Sequence, residues 1–136
     1  MIGLDTSVFM DIFSGKLELM NKARIYLNRA KEEGGIISAA VLTEIIYKIK
    51  SQKGPEKAVE AISFIKNIPN LSIVSISEEI AVLAGELRVK YYSKKHEISY
   101  LDCVHLASSI IFNAKVFVTT DKDFEDVDEI KIDIYR

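Results

Sequence analysis

Met1-Ile2-Gly3-Leu4-Asp5-Thr6-Ser7 decides how the rest of the chain is read. A short apolar run ends abruptly on an acid, and Thr6 to Phe13 then takes helical spacing until Ser14-Gly15 breaks it. That is a buried strand feeding a helix, with a carboxylate at the joint.

The same alternation recurs downstream. Leu17 to Glu33 places Met20, Ala23, Leu27 and Ala30 on one helical face and stops at Gly34-Gly35. Ile36-Ile37 is a short β-branched strand, and Ser38 caps a helix over Ala39 to Lys50. Pro55 suits the first turn of a helix whose inward face is Ala58, Ala61, Ile62 and Ile65, broken at Asn67 to Asn70. Leu71 to Ile76 alternates apolar residues with serine, which predicts a strand with one solvated face. Ser77 starts a helix with Glu78 and Glu79 in its first turn and an apolar stripe of Ile80, Leu83, Ala84, Leu87 and Tyr91. Ser99 opens another helix, running to about Asn113. Val116 to Thr119 is a strand, Asp121 to Glu125 a loop or single turn, and Ile130 to Ile134 a final strand. Strands separated by helices imply an α/β three-layer sandwich around a mainly parallel sheet of four or five strands. No repeat, low-complexity tract or linker divides the chain, so a single domain over residues 1–136 is expected.

Composition narrows the function classes. Hydrophobic residues make up 49% and charged residues 28% of the 136, enough for a core and too apolar for a disordered chain. The net charge of -2 gives no broad basic field for nucleic acid. The charge is uneven, however: residues 121–136 carry seven acids against three bases, while Arg88, Lys90, Lys94 and Lys95 cluster elsewhere. A metal site can be acidic at its centre and basic at its rim, because the ion itself attracts phosphate. Cys103 is the sole cysteine, so no internal disulfide forms. The N-terminal residues lack a basic segment followed by an apolar run, so no signal peptide is expected. No apolar stretch is long enough to span a bilayer. These features lead us to expect a cytoplasmic protein with no membrane partner.

Four acids stand where the predicted topology makes them informative. In open parallel sheets, sites form outside the carboxyl ends of the strands. Asp5 ends the first strand, and Asp121 lies just beyond Val116 to Thr119. Glu44 and Asp102 fall in the first two turns of helices that begin near the same edge. Each also has an ordinary explanation. Asp5 can cap the helix at Thr6, Glu44 can pair with Lys48 at i+4, Asp102 can close a capping box with Ser99, and Asp121 can be a turn residue. Their combination is the signal.

These segments resemble the four acidic motifs of the PIN-domain family. The matching stretches are Gly3-Leu4-Asp5-Thr6-Ser7, Ser38-Ala39-Ala40-Val41-Leu42-Thr43-Glu44-Ile45, Leu101-Asp102-Cys103-Val104-His105-Leu106-Ala107 and Thr119-Thr120-Asp121-Lys122-Asp123-Phe124. They occur in order across the full length, and the fourth is the most specific. The resemblance implies a ribonuclease, with Asp5, Glu44, Asp102 and Asp121 as metal-binding acids. Asp123 is a secondary candidate, either a water-mediated ligand or a carboxylate shaping the site. Ser7 and Thr119 resemble positions whose hydroxyls support the cluster. His105 lies one turn after Asp102 and either approaches the site or packs as a hydrogen-bonded histidine. The length also resembles the VapC group of toxins, which implies a homodimer and a small antitoxin protein that blocks the site.

The chemistry suits the residue types. Close carboxylates repel one another, and a hard cation such as Mg²⁺ or Mn²⁺ resolves that conflict with oxygen ligands. The lack of a Cys/His cluster argues against zinc at this set. Such a site activates water against a phosphodiester without a serine or cysteine nucleophile. For the family, 5′-phosphate and 3′-hydroxyl ends are the implied products. Arg88, Lys90, Lys94 and Lys95 either hold the RNA backbone or form a solvated basic helix end. Tyr91, Tyr92 and Tyr100 either stack on bases or pack in the core or a dimer.

Two other function classes compete. A PIN-like module that binds RNA or protein without cutting has no use for four mutually repelling acids. A phosphotransfer protein of haloacid-dehalogenase type needs a second aspartate two residues after Asp5, where Ser7 stands. A receiver domain needs paired acids near the first strand, and Asp5 is not so accompanied.

Overall fold

Five strands form one parallel sheet in the order β3-β2-β1-β4-β5, and β1 at its centre is the segment Ile2–Leu4. A computed structural model describes residues Met1–Arg136. The strands are β1 (Ile2–Leu4), β2 (Gly35–Ser38), β3 (Leu71–Val74), β4 (Val116–Thr119) and β5 (Lys131–Ile134). The helices are α1 (Thr6–Ile12), α2 (Leu17–Glu33), α3 (Ala40–Lys53), α4 (Pro55–Lys66), α5 (Glu78–Tyr91) and α6 (Tyr100–Ile111), with a 3₁₀ turn over Lys122–Phe124. This is the expected α/β sandwich, with five strands and every strand pair parallel.

The pleat sorts the strand residues between two cores. Ile2, Leu4, Ile37, Val116 and Val118 pack with Val8, Phe9, Leu27, Ile45, Ile49 and Ile65, so α1 to α4 cover one face. Ile36 and Phe117 point the other way, against Ile80, Leu87, Leu106 and Phe124 from α5, α6 and the 3₁₀ turn. Alternate residues of each central strand thus serve opposite cores, as the two-residue period requires. Gly3 lets α6 approach the sheet. A Cβ at that position would overlap Ser109 Oγ and stand 2.8 Å from Ser109 Cβ.

Several element boundaries differ from expectation by a residue, among them β2, which takes in Gly35 and Ser38 so that α3 begins at Ala40. Three differ by more or for a clear backbone reason. β3 ends at Val74 rather than Ile76, because Val74 pairs with Ser38, the last residue of β2, and no partner strand continues. Ser77 instead accepts from the Ile80 amide as the cap of α5. α3 runs on to Lys53, past the expected end at Lys50, and stops at Gly54, whose φ of +90° a side chain would resist. The last helix stops at Ile111 rather than near Asn113, whose φ of +57° is outside the helical range.

The strand order fixes the site. From β1 the chain builds outward through β2 to β3, then returns to the other side of β1 for β4 and β5. The carboxyl ends of β1 and β4 therefore flank the point where the winding reverses, the place where such sheets leave a crevice. Asp5 and Asp121 follow those two strands.

Candidate active site

A cleft of about 260 Å³ opens there, lined by Asp5, Thr6, Ser7, Glu44, Lys48, Asp102, Thr120 and Asp121. None of the lining residues is apolar. A larger depression of about 510 Å³ around Val59, Phe64 and Ile68 contains a single acid, Glu60. The chemistry is therefore concentrated in the smaller, polar cleft.

Each acid is held by a different element, and each through one oxygen. Asp5 is buried and stands at the N-terminus of α1, yet its side chain caps nothing. Its Oδ2 accepts from Ser7 Oγ at 2.8 Å and Thr119 Oγ1 at 2.7 Å. Thr119 Oγ1 in turn accepts the Asp121 amide at 3.0 Å, and Ser7 Oγ accepts the Thr120 amide at 3.0 Å. Two hydroxyls thus tie the end of β1 to the end of β4. Glu44 uses Oε1, which receives Thr6 Oγ1 at 2.8 Å and lies 2.5 Å from His105 Nε2. Asp102 closes the capping box of α6: its Oδ2 accepts the Ser99 amide at 2.9 Å while its own amide donates to Ser99 Oγ. Asp121 caps the 3₁₀ turn, its Oδ1 accepting the Asp123 amide at 2.8 Å. The capping and turn roles of Asp102 and Asp121 are therefore real, and both residues still face the cleft. In all four carboxylates the second oxygen receives no hydrogen bond from the protein.

The electrostatics match this crowding. Burial pushes the Asp102 carboxyl up to about 6, opposed by the Ser99 amide and reinforced by the charge of Asp5. Asp121 is also raised, chiefly by burial, against the pull of the Asp123 amide and with the charges of Asp123 and Asp5 adding to it. Glu44 moves the other way. Burial would raise it, but hydrogen bonds from His105 and Thr6 outweigh that, and its carboxyl lies below the usual range. Lys48, 3.9 Å from Glu44 Oε2, is the cation among the lining residues.

Asp5, Glu44, Asp102 and Asp121 are thus brought together, and Asp123 is not among the residues lining the cleft. Asp123 gives Asp121 its backbone amide, while its carboxylate stands 3.7 Å from His96 Nδ1. His105 is fully buried and bonded to Glu44, so both halves of its expectation hold: it approaches the site and it is packed. Arg88 and Lys90 are engaged within the fold. Arg88 donates to the Ile98 carbonyl and lies over the rings of Tyr92 and Tyr100. Lys90 pairs with Asp128 and Glu129. Thr6 was read from sequence only as the start of a helix. Its contact with Glu44 crosses 38 residues, and no local pattern marks it.

Comparison with known proteins agrees with this architecture. A family model described as PIN domain matches residues 2–130. No curated protein matches the sequence. Among solved structures, the chain is similar to VapBC2 from Rickettsia felis, bound to a DNA fragment from its promoter, at 22% identity and TM-score 0.75, covering 98% of each chain. It is also similar to Mycobacterium tuberculosis VapC20, described as a sarcin-ricin loop cleaving toxin, at 20% identity and TM-score 0.76, covering 96% of this chain and 99% of that one. FitAcB from Neisseria gonorrhoeae aligns at 17% identity and TM-score 0.74, covering 97% and 96%. The family match spans nearly the whole chain. The chain belongs to the PIN domain family.

Proposed function

We propose that this chain is a divalent-metal-dependent endoribonuclease, the toxin of a toxin–antitoxin pair, acting in the cytoplasm. The observation that carries the reading is the pattern of oxygens in the cleft. Four acids from separate elements each anchor one oxygen to the scaffold by hydrogen bonds and leave the other free of them, with Lys48 3.9 Å from that of Glu44. An all-oxygen donor set of this kind fits Mg²⁺ or Mn²⁺. The raised carboxyls of Asp102 and Asp121 fit it too, since a bound cation relieves the repulsion that raises them.

Asp5, Asp102 and Asp121 would hold the ion. When bound, it supplies charge neutralisation for the phosphodiester and activation of water. Glu44 is kept ionised by His105 and Thr6, which suits it to ligate the ion or to orient the attacking water. Lys48 offers a contact for a phosphate oxygen at the cleft rim. Attack by water on phosphorus, with breakage of the bond to the 3′ oxygen, leaves 5′-phosphate and 3′-hydroxyl ends. The toxin role, a homodimer and control by a small antitoxin protein are carried over from the VapBC complexes and VapC20 as part of the proposal. We place the domain over residues 1–136, with Asp123 acting on Asp121 through its charge.

Incubation with structured and unstructured RNAs tests this reading, with Mg²⁺, with Mn²⁺ and with EDTA. Cleavage should require metal and leave 5′-phosphate ends. Cleavage that persists in EDTA would reject it.

A further inference from the structure

A second cluster lies away from the cleft, where the α5–α6 connection meets the segment after the 3₁₀ turn. His96 Nε2 stands 3.2 Å from Glu125 Oε1 and 3.2 Å from Asp126 Oδ2. The His96 side chain is 8% exposed, and Nε2 is buried without a hydrogen-bond partner. Neither contact is a hydrogen bond despite the short distances, so Nε2 faces two carboxylates without a hydrogen-bond partner. Three acids, Asp123, Glu125 and Asp126, surround this one imidazole. Neighbouring Lys90 is already paired with Asp128 and Glu129.

We infer that His96, Glu125 and Asp126 form a binding site for a divalent transition metal of nitrogen–oxygen preference, Zn²⁺ foremost. Its position would let it link two segments of the chain. Ligands about 2.0–2.2 Å from a tetrahedral zinc stand roughly 3.4 Å apart, and the two nitrogen–oxygen separations here are both 3.2 Å. All three ligand atoms lie within 4.8 Å of one another. One imidazole and two carboxylates leave a fourth position for water. Asp123 Oδ1, 3.7 Å from His96 Nδ1, stands on the side of the ring where a carboxylate orients a ligating histidine. The metal would tie the α5–α6 connection, which carries His96, to the residues that follow Asp121. It is chemically distinct from the all-oxygen cleft, and this proposal is independent of the nuclease reading.

The chain has only two histidines, so ring-nitrogen NMR separates the possibilities. Zn²⁺ is titrated into the wild type and into Glu125→Gln/Asp126→Asn, whose exposed side chains can change without disturbing the core. We expect the Nε2 signal of His96 to shift at one equivalent of Zn²⁺. In the double variant the apparent affinity should fall at least about tenfold, about 1.4 kcal/mol, with the amide spectrum unchanged. A shift confined to His105 would place the metal in the cleft and overturn the proposal. So would an unmoved His96 at millimolar Zn²⁺, or an equal shift in the double variant.

Discussion

Replacing Asp102 by asparagine should stabilise the metal-free protein and at the same time remove its response to metal. The native carboxyl is raised from its ordinary 3.8 to about 6, mainly by burial, against the Ser99 amide and with Asp5 adding to it. The folded chain therefore holds this proton more tightly than the unfolded chain. Ionisation costs stability, and the cost grows as pH rises through the interval between those values and levels off above about 6. At about 1.4 kcal/mol per tenfold the ceiling is about 3 kcal/mol. An amide retains the acceptor for Ser99 but packs less well than a protonated carboxyl, so the gain should be roughly 1–3 kcal/mol, or roughly 3–10 °C in Tm for a domain of this size. Thermal melts in EDTA read it. Near pH 7.5 the variant should melt above the wild type, and the difference should shrink towards pH 4.5. Added Mg²⁺, which the nitrogen–oxygen cluster at His96 does not favour, should raise the Tm of the wild type only. A variant less stable than the wild type near pH 7.5, or a gain that ignores pH, would refute the reasoning and leave the capping box as the role of Asp102.

Three further outcomes follow from the geometry. Thr119→Val removes the donor to Asp5 and the acceptor for the Asp121 amide in a fully buried position. It should cost about 1–3 kcal/mol in chemical unfolding and weaken metal binding as well. Gly3→Ala drives a methyl into Ser109 and should cost about 1–3 kcal/mol, read as a lower Tm. Arg88→Ala removes the link from α5 to the Ile98 carbonyl and the contacts with Tyr92 and Tyr100. It should lower stability by about 1 kcal/mol while the salt dependence of RNA binding stays unchanged.

What could be read from sequence was local or topological. Asp5 and Asp121 announced themselves because each stands at or just beyond the end of a run short enough to be a strand, and alternating strands and helices bring such ends to one edge. The capping box at Ser99 and Asp102 is likewise a spacing of three residues. The unread part lies in contacts that cross the chain. His105 and Glu44 are 61 residues apart, and Thr6 and Glu44 are 38 apart, so their hydrogen bonds depend on how α1, α3 and α6 pack. Asp123 stands aside from the cleft lining for a local reason: Asp121 uses the amide of Asp123 to cap the 3₁₀ turn, and the Asp123 side chain meets His96. For Arg88, Tyr92 and Tyr100 the sequence left RNA contact open beside packing or a solvated helix end. The Arg88 guanidinium lies over both rings.

The most direct test of the central claim is Mn²⁺ binding, followed by electron paramagnetic resonance of the free ion. It should be made in the Glu125→Gln/Asp126→Asn background to silence the second cluster. The account predicts binding in the cleft that weakens at least about tenfold, about 1.4 kcal/mol, with Asp5→Asn, Asp102→Asn or Asp121→Asn. Asp123→Asn, whose carboxylate faces His96 and reaches Asp121 only through its charge, should weaken it far less. No bound Mn²⁺ at millimolar concentration, or equal binding in Asp5→Asn, would contradict the claim that these acids form one metal site.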